Sequence, residues 1–144
     1  MSVPSPDADE LRELCARTAE AAGRWLVAWR AGRTSLSTST KSSPTDVVTE
    51  ADREVEGLIR ERLMKAHPGA AWWGEESGRS SGSDSAGALE WVVDPIDGTV
   101  NFLYDLPGWS VSIGAVVRGQ VVAGAVAIPT LDERIWRATE PGTA

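Results

Sequence analysis

The sequence predicts an α+β fold in which two N-terminal helices pack on an antiparallel sheet. Up to Pro68, apolar residues recur at the three- and four-residue spacing of a helix face. Beyond Pro68 they form short extended runs separated by turn and loop residues. Helices followed by consecutive strands are typical of the α+β class, and the length suits a single domain.

The first predicted helix covers residues 7–31. Asp7 followed by Glu10 suits its N-terminus, and Gly32 suits its end. Its apolar face comprises Leu11, Leu14, Cys15, Thr18, Ala22, Trp25, Leu26 and Trp29. We therefore expect Cys15 to be a small core residue.

The second predicted helix starts at Thr49, a favourable N-cap with Asp52 three residues later, and ends near Pro68. Before it, residues 34–43 have almost nothing to bury and are predicted to form a loop. The lone histidine, His67, is interpreted as a solvated group at the end of this helix.

The sheet is predicted from extended apolar runs in the second half of the chain. A Gly/Ser-rich loop at residues 77–87 follows the first run, and Arg118 and Gly119 form a hairpin turn. The predicted strands are residues 70–73, 89–93, 109–117, 120–128 and 134–139.

The chain of 144 residues carries 21 acidic and 14 basic side chains, a net charge of −7. This balance argues against nucleic acid as a partner, because that ligand requires a basic patch. No apolar run approaches the ~20 residues that span a bilayer, and the N-terminus lacks the features of a signal peptide. With its single cysteine, the chain is therefore expected to be cytoplasmic, with no membrane partner.

The segment most informative about chemistry is WVVDPIDGTVNF, residues 91–102. An apolar strand delivers Asp94 at its end, and Asp97 follows just before Gly98 and Thr99. A short helix over residues 98–104 would then offer its first N–H groups to an anion. Carboxylates beside free N–H groups suit metal-assisted phosphoryl transfer, although an ordinary turn stabilised by Asp side chains has the same pattern.

A second acidic pair, Glu75 and Glu76, follows another apolar segment, and Gly74 permits a sharp exit from that strand. One of these carboxylates can then approach the turn at Asp94. Hard cations such as Mg²⁺ prefer such oxygen donors, and no Cys/His spacing supports zinc.

A third acidic cluster spans residues 46–52. Thr49, Glu50 and Asp52 are explained by the preferences of a helix N-terminus. Asp46 precedes the predicted cap and could accept a hydrogen bond from a hydroxyl group elsewhere in the chain.

The order of these three segments and the residues within them resemble the inositol monophosphatase family of metal-dependent sugar phosphatases. The matching segments are residues 41–56, 73–77, 91–102 and 108–116. The resemblance implies that residues 1–144 form one domain, about the first half of the αβαβα sandwich of the family. The family's later Trp-Asp-Ala-Ala-Gly-like motif, which completes the second metal site, is absent from these residues.

The resemblance also implies a cofactor, Mg²⁺, and its ligands. Glu75, Asp94 and the backbone carbonyl of Ile96 would hold one ion, and Asp94 and Asp97 a second. Gly98, Thr99 and Asp97 would bind the substrate. The implied catalytic residues are Asp46, Glu75 and Thr99, with Thr99 paired to Asp46 to help deprotonate the attacking water. The roles of Lys41 and Glu76 stay open.

The implied activity is Mg²⁺-dependent hydrolysis of inositol monophosphate or a related polyol phosphate by a metal-activated water, with inhibition by Li⁺. Histidinol phosphate, fructose bisphosphate and 3′-phosphoadenosine 5′-phosphate are alternative substrates. A non-catalytic, metal-binding fragment is the alternative from another class. A small phosphate ester is the expected partner, and a homodimer is an open option.

Overall fold

The computed structural model describes residues 6–33, 44–83, 89–131 and 133–138, with the description of residues 44–47 and 133–138 confined to the backbone. The predicted loop at 34–43 therefore lies outside the described residues. The described part contains the helices α1 (Ala8–Ala31), α2 (Pro44–Ala66) and α3 (Thr99–Leu103) and a 3₁₀ turn (Pro129–Leu131). Its strands are β1 (Ala71–Gly74), β2 (Gly78–Ser80), β3 (Leu89–Asp97), β4 (Ser110–Val117), β5 (Gln120–Ile128) and β6 (Glu133–Ala138).

Helix α1 confirms the first predicted helix. The Asp7 backbone is extended, and its carboxylate accepts a hydrogen bond of 2.8 Å from the Asp9 N–H, as expected for an N-cap. At the other end, the Gly32 N–H donates to the Ala28 carbonyl. Cys15 is fully buried, and burial raises the pKa of its thiol to about 12, which confirms it as an unreactive core residue.

Helix α2 begins at Pro44, so the predicted start at Thr49 is wrong. Proline is favoured in the first turn of a helix, because its fixed φ suits the helix and its missing N–H has no partner there anyway. Thr49 consequently lies inside the helix, and Asp46 lies in the first turn rather than before the cap. The buried face of α2 carries two carboxylates, Asp52 and Glu56, one helical turn apart.

The sheet has the order β2-β1-β3-β4-β5-β6. The α+β class is confirmed, but the expectation of an antiparallel sheet needs one correction, because β1 pairs with β3 in parallel. The segment between them includes β2, part of the predicted loop at 77–87, which pairs antiparallel with β1. This segment is long enough for the crossover that parallel strands need.

The helices cover one face of the sheet and form the core with it. Helix α1 packs against β4 and β5, and α2 packs against β3. Trp72, Trp91 and Trp109 are among the largest fully buried side chains. Along the described residues, no helix is both long enough and apolar enough to cross a membrane.

Helix α3 is fastened to the core through its last two residues, Phe102 and Leu103. The Phe102 ring packs edge-on against Trp109 at 5.1 Å between ring centroids, and Trp29 of α1 lies 6.0 Å from Phe102. The Arg30 guanidinium donates to the carbonyls of Phe102 and Leu103 at 3.3 and 3.4 Å. These contacts confirm the predicted short helix and fix its position.

The glycine that precedes α3 provides a test of how tightly this turn is built. Gly98 has φ of 88°, and a Cβ atom there would lie 3.3 Å from the Cα of Trp109. Gly119, in the confirmed β4–β5 hairpin turn, also has positive φ (77°) but has nothing within 4 Å of such a Cβ.

We expect Gly119→Ala to cost about 1 kcal/mol, the backbone strain alone, and Gly98→Ala to cost about 2 kcal/mol because a close contact is added. Urea unfolding of both variants measures the difference. Equal losses of stability would show that the Trp109 backbone yields freely to the added methyl group.

Candidate functional site

The predicted site comes together where the parallel pairing of β1 with β3 stops. The strand carrying Asp94 was predicted to end at residue 93, but β3 continues to Asp97. In the parallel pair, Gly74 of β1 lies opposite Val93 of β3, and the Glu75 N–H donates to the Val93 carbonyl at 3.3 Å. Glu75 and Asp94 are therefore the next residues along two adjacent strands. The carboxyl ends of parallel strands meet at one edge of a sheet, so the pairing itself places these two residues side by side.

The Glu75 and Asp94 carboxyl groups are close enough to share a hydrogen bond. This bond is the largest cause that raises the pKa of Glu75 to about 7, followed by partial burial and by the negative charges of Asp94, Glu76 and Asp97. Oδ1 of Asp94 is buried and accepts no hydrogen bond from an amide or hydroxyl of the described residues. The pair thus combines a carboxyl group whose pKa is raised with a buried oxygen atom that lacks a hydrogen-bond donor.

Helix α2 brings a third carboxylate near this pair. Asp52 is 7% exposed. Burial is the main cause that raises its pKa to about 7, and the negative charges of Glu76, Glu75, Asp94 and Glu56 add to the effect. The sequence pattern predicts Asp52 to be a helix-capping residue. The structure instead places it on the buried face of α2, within electrostatic range of Glu75 and Asp94.

Glu56 is a second buried carboxylate that α2 contributes to the region, and sequence reasoning missed it. Its Oε1 accepts a hydrogen bond of 3.0 Å from the Glu76 N–H, and its Oε2 accepts one of 2.9 Å from the Ser77 N–H. A signal was present, because Glu56 falls next to Val55 and four residues after Asp52 on the helix. A buried face that includes two acidic residues is unusual, since buried carboxylates need partners.

Gly74 has a different role from the one predicted. It was expected to allow a sharp exit from the strand, but it does not adopt positive φ. A Cβ atom at this position would lie 2.6 Å from Oε1 of Glu56 and 2.6 Å from Nε1 of Trp72. Gly74 therefore leaves the space that the Glu56 carboxylate occupies.

The turn after β3 carries the remaining predicted residues. The strand register shifts between Asp94 and Asp97, and Gly98 then forms the N-cap of α3 in the left-handed conformation. The Thr99 hydroxyl donates to the Ile96 carbonyl at 3.4 Å. Asp97, Gly98 and Thr99 are all exposed, so this turn is accessible to a ligand.

The structure thus brings Glu75 and Asp94 into contact, puts Asp97 within electrostatic range of Glu75, and joins Thr99 to Ile96. Lys41 and the Asp46 side chain lie outside the described residues, so the pairing of Asp46 with Thr99 stays a prediction. His67, interpreted as solvated, is half-buried, and its ring lies 6.0 Å from that of Trp91.

The donor set fits a hard divalent cation. Among the residues that the structure describes, no three His, Cys, Asp or Glu side chains form a preformed metal cage. Mg²⁺ does not need one, because it commonly takes one or two carboxylates and keeps several waters. A cation at Glu75 and Asp94 would take the place of the hydrogen bond between them and supply a partner for the buried Oδ1.

Comparisons with known proteins agree with this arrangement. The inositol-1-monophosphatase of Mycobacterium bovis is 49% identical over 100 residues, which cover 68% of this chain and 34% of that protein. The histidinol-phosphatase of Mycobacterium tuberculosis is 40% identical over 113 residues, which cover 78% of this chain and 42% of that protein.

A solved structure, that of SuhB from Mycobacterium tuberculosis, superposes with a TM-score of 0.74 at 35% identity and covers 97% of this chain and 48% of that one. The chain therefore spans less than half the length of these proteins. A sequence model of the inositol monophosphatase family matches residues 7–144. With nearly the whole chain matched, the protein belongs to the inositol monophosphatase family.

Proposed function

We propose that the protein provides the metal- and phosphate-binding half of a Mg²⁺-dependent phosphomonoesterase that hydrolyses inositol monophosphate or a related polyol phosphate. The observation that carries this proposal is the contact between Glu75 and Asp94 where the parallel pairing of β1 with β3 stops. Two carboxyl groups that crowd each other at an accessible edge are poorly satisfied without a cation.

In the proposal, Glu75, Asp94 and the Ile96 carbonyl hold one Mg²⁺, and Asp94 with Asp97 holds a second. When bound, the cations supply positive charge that stabilises the phosphoryl group and lowers the pKa of coordinated water. The positive charge also offsets the repulsion between a phosphate ester and a protein of net charge −7.

The chain's own residues then bind and orient the ester. Gly98 and Thr99 would bind the phosphate at the start of α3, together with Asp97. The close packing of Gly98 against the Trp109 backbone holds that turn in one place, which favours binding without reorganisation. Thr99, with Asp46, would hold and transfer the proton of the attacking water.

Relatives support two substrate classes. An inositol phosphate is favoured by the inositol-1-monophosphatase of Mycobacterium bovis, which is the more similar of the two relatives. Histidinol phosphate is the second candidate, because a histidinol-phosphatase is 40% identical over most of this chain. A homodimer and a cytoplasmic location stay predictions from the sequence.

The first test is phosphate release from inositol 1-phosphate by the 144-residue chain, measured with and without Mg²⁺. We expect Mg²⁺-dependent release, and Asp94→Asn should lower it by at least about 100-fold because a ligand shared by both ions is lost. Asp9→Asn, an exposed substitution in α1, is the matched control and should retain the activity of the parent chain.

Three outcomes of this test are decisive. Release that does not depend on Mg²⁺ would contradict the proposal. Absence of release from a folded chain would favour the alternative of a non-catalytic, metal-binding fragment. Faster phosphate release from histidinol phosphate than from inositol 1-phosphate would favour the second substrate class. An activity that millimolar Li⁺ does not inhibit would favour it too.

The second test concerns pH. Because the pKa of Glu75 is raised to about 7, this carboxyl group is mostly protonated below that pH and must lose its proton when a cation binds. Cation affinity should therefore rise with pH, by up to about tenfold per pH unit below 7, and level off above it. Calorimetric titration with Mn²⁺ at several pH values measures this slope.

Glu75→Gln should weaken Mn²⁺ binding and flatten the pH dependence, leaving the contribution of Asp52, whose pKa is also about 7. Glu61→Gln, an exposed substitution on α2, should leave both the affinity and the slope unchanged. An affinity that does not vary between about pH 5 and pH 8 would show that Glu75 is not a ligand.

A further inference from the structure

The Glu56 carboxylate joins helix α2 to the turn that carries Glu75. It is 3% exposed, and each of its two oxygens accepts one backbone N–H, from Glu76 and Ser77. These are the two residues directly after Glu75. These hydrogen bonds therefore hold the backbone next to Glu75, which sets the direction of its side chain, and they do not contact that side chain itself.

The electrostatic setting makes this contact unusual. The ion pairs seen in the described residues join Arg12 to Asp9 and Arg79 to Glu90, and neither involves Glu56. Glu56 also lies within electrostatic range of Asp52, and its negative charge contributes to the raised pKa of Asp52. A buried carboxylate in a negative region needs compensation, and two charge-assisted hydrogen bonds from backbone amides supply it.

Two further contacts shape the same turn. The Trp72 indole N–H donates to the Ser77 hydroxyl at 2.9 Å, so a fully buried ring of β1 anchors the end of the turn. Gly74 leaves open the space in which Oε1 of Glu56 lies. The turn from Gly74 to Ser77 is thus held by the Glu56 carboxylate through two backbone amides and by the Trp72 indole through the Ser77 hydroxyl.

We propose that Glu56 is a positioning residue for the cation site. By holding the Glu76 and Ser77 amides, it fixes the backbone so that the Glu75 carboxylate stays beside Asp94. This inference rests on the proposed function, because it assigns Glu56 a role in cation binding through Glu75. Residues that orient metal ligands from outside the coordination sphere commonly contribute 10- to 100-fold, in order of magnitude, to metal affinity.

The test uses the 144-residue chain and Mn²⁺ as the probe. Glu56→Gln keeps the shape but loses the charge and one acceptor, whereas Glu56→Asp keeps the charge but is too short to reach both amides. We expect both variants to raise the Mn²⁺ dissociation constant by about 10- to 100-fold. Glu54→Gln, an exposed substitution two residues earlier on the helix, should change it by less than about 2-fold.

A readout independent of metal accompanies the titration. In the metal-free chain, amide hydrogen exchange at Glu76 and Ser77, followed by NMR, should be slow in the parent chain and in Glu54→Gln. Exchange at both amides should be at least about tenfold faster in the two Glu56 variants, because each loses acceptor capacity at this turn.

A third variant changes no charge. The methyl group of Gly74→Ala would lie 2.6 Å from both Oε1 of Glu56 and Nε1 of Trp72. The ring is fully buried, so we expect the carboxylate to move away from the turn. This variant should show the same weaker Mn²⁺ binding and the same faster exchange at Glu76 and Ser77. It separates positioning from the loss of a negative charge.

The outcomes distinguish this inference from the proposed function. Failure of the parent chain to bind Mn²⁺ would refute the cation site and, with it, the role of Glu56. Binding that is lost in Glu75→Gln but unchanged in both Glu56 variants would leave the cation site standing and refute the role of Glu56. Normal binding by Glu56→Asp alongside weak binding by Glu56→Gln would assign the effect to charge and overturn positioning.

Discussion

The parallel pairing of β1 with β3 is the constraint on which the site depends. It is the only parallel pair in the described sheet, and it makes the two strands end at the same edge. Glu75 is the first residue of the crossover segment and Asp94 lies in the strand after it, and the parallel pairing makes these two residues neighbours in space. An antiparallel pairing of the same strands would have sent the two carboxylates to opposite ends of the sheet.

The cost of this arrangement is electrostatic. Neighbouring negative charges and burial raise the pKa of both Glu75 and Asp52 to about 7. Hydrogen bonds compensate Glu56, whose two oxygens each have an amide donor, but not Oδ1 of Asp94. Glu56 is therefore satisfied by hydrogen bonds, whereas Oδ1 of Asp94 is not, and a cation is proposed to bind beside Asp94.

Much of this arrangement could be predicted from sequence, because local patterns determine it. The apolar spacing of α1, the hairpin turn at Arg118 and the strand leading to Asp94 each depend on neighbouring residues. The parallel pair could not be predicted in that way, since strand direction depends on a crossover that includes β2. The role of Glu56 was missed for a related reason, because its partners, the amides of Glu76 and Ser77, lie twenty or more residues away.

Anomalous diffraction from crystals soaked in Mn²⁺ tests the central claim most directly, because it locates the ion without relying on turnover. The account predicts a peak within coordination distance of carboxylate oxygens from both Glu75 and Asp94, at about 2.1 Å. A peak elsewhere, or none while Glu75 and Asp94 still share a hydrogen bond, would contradict it.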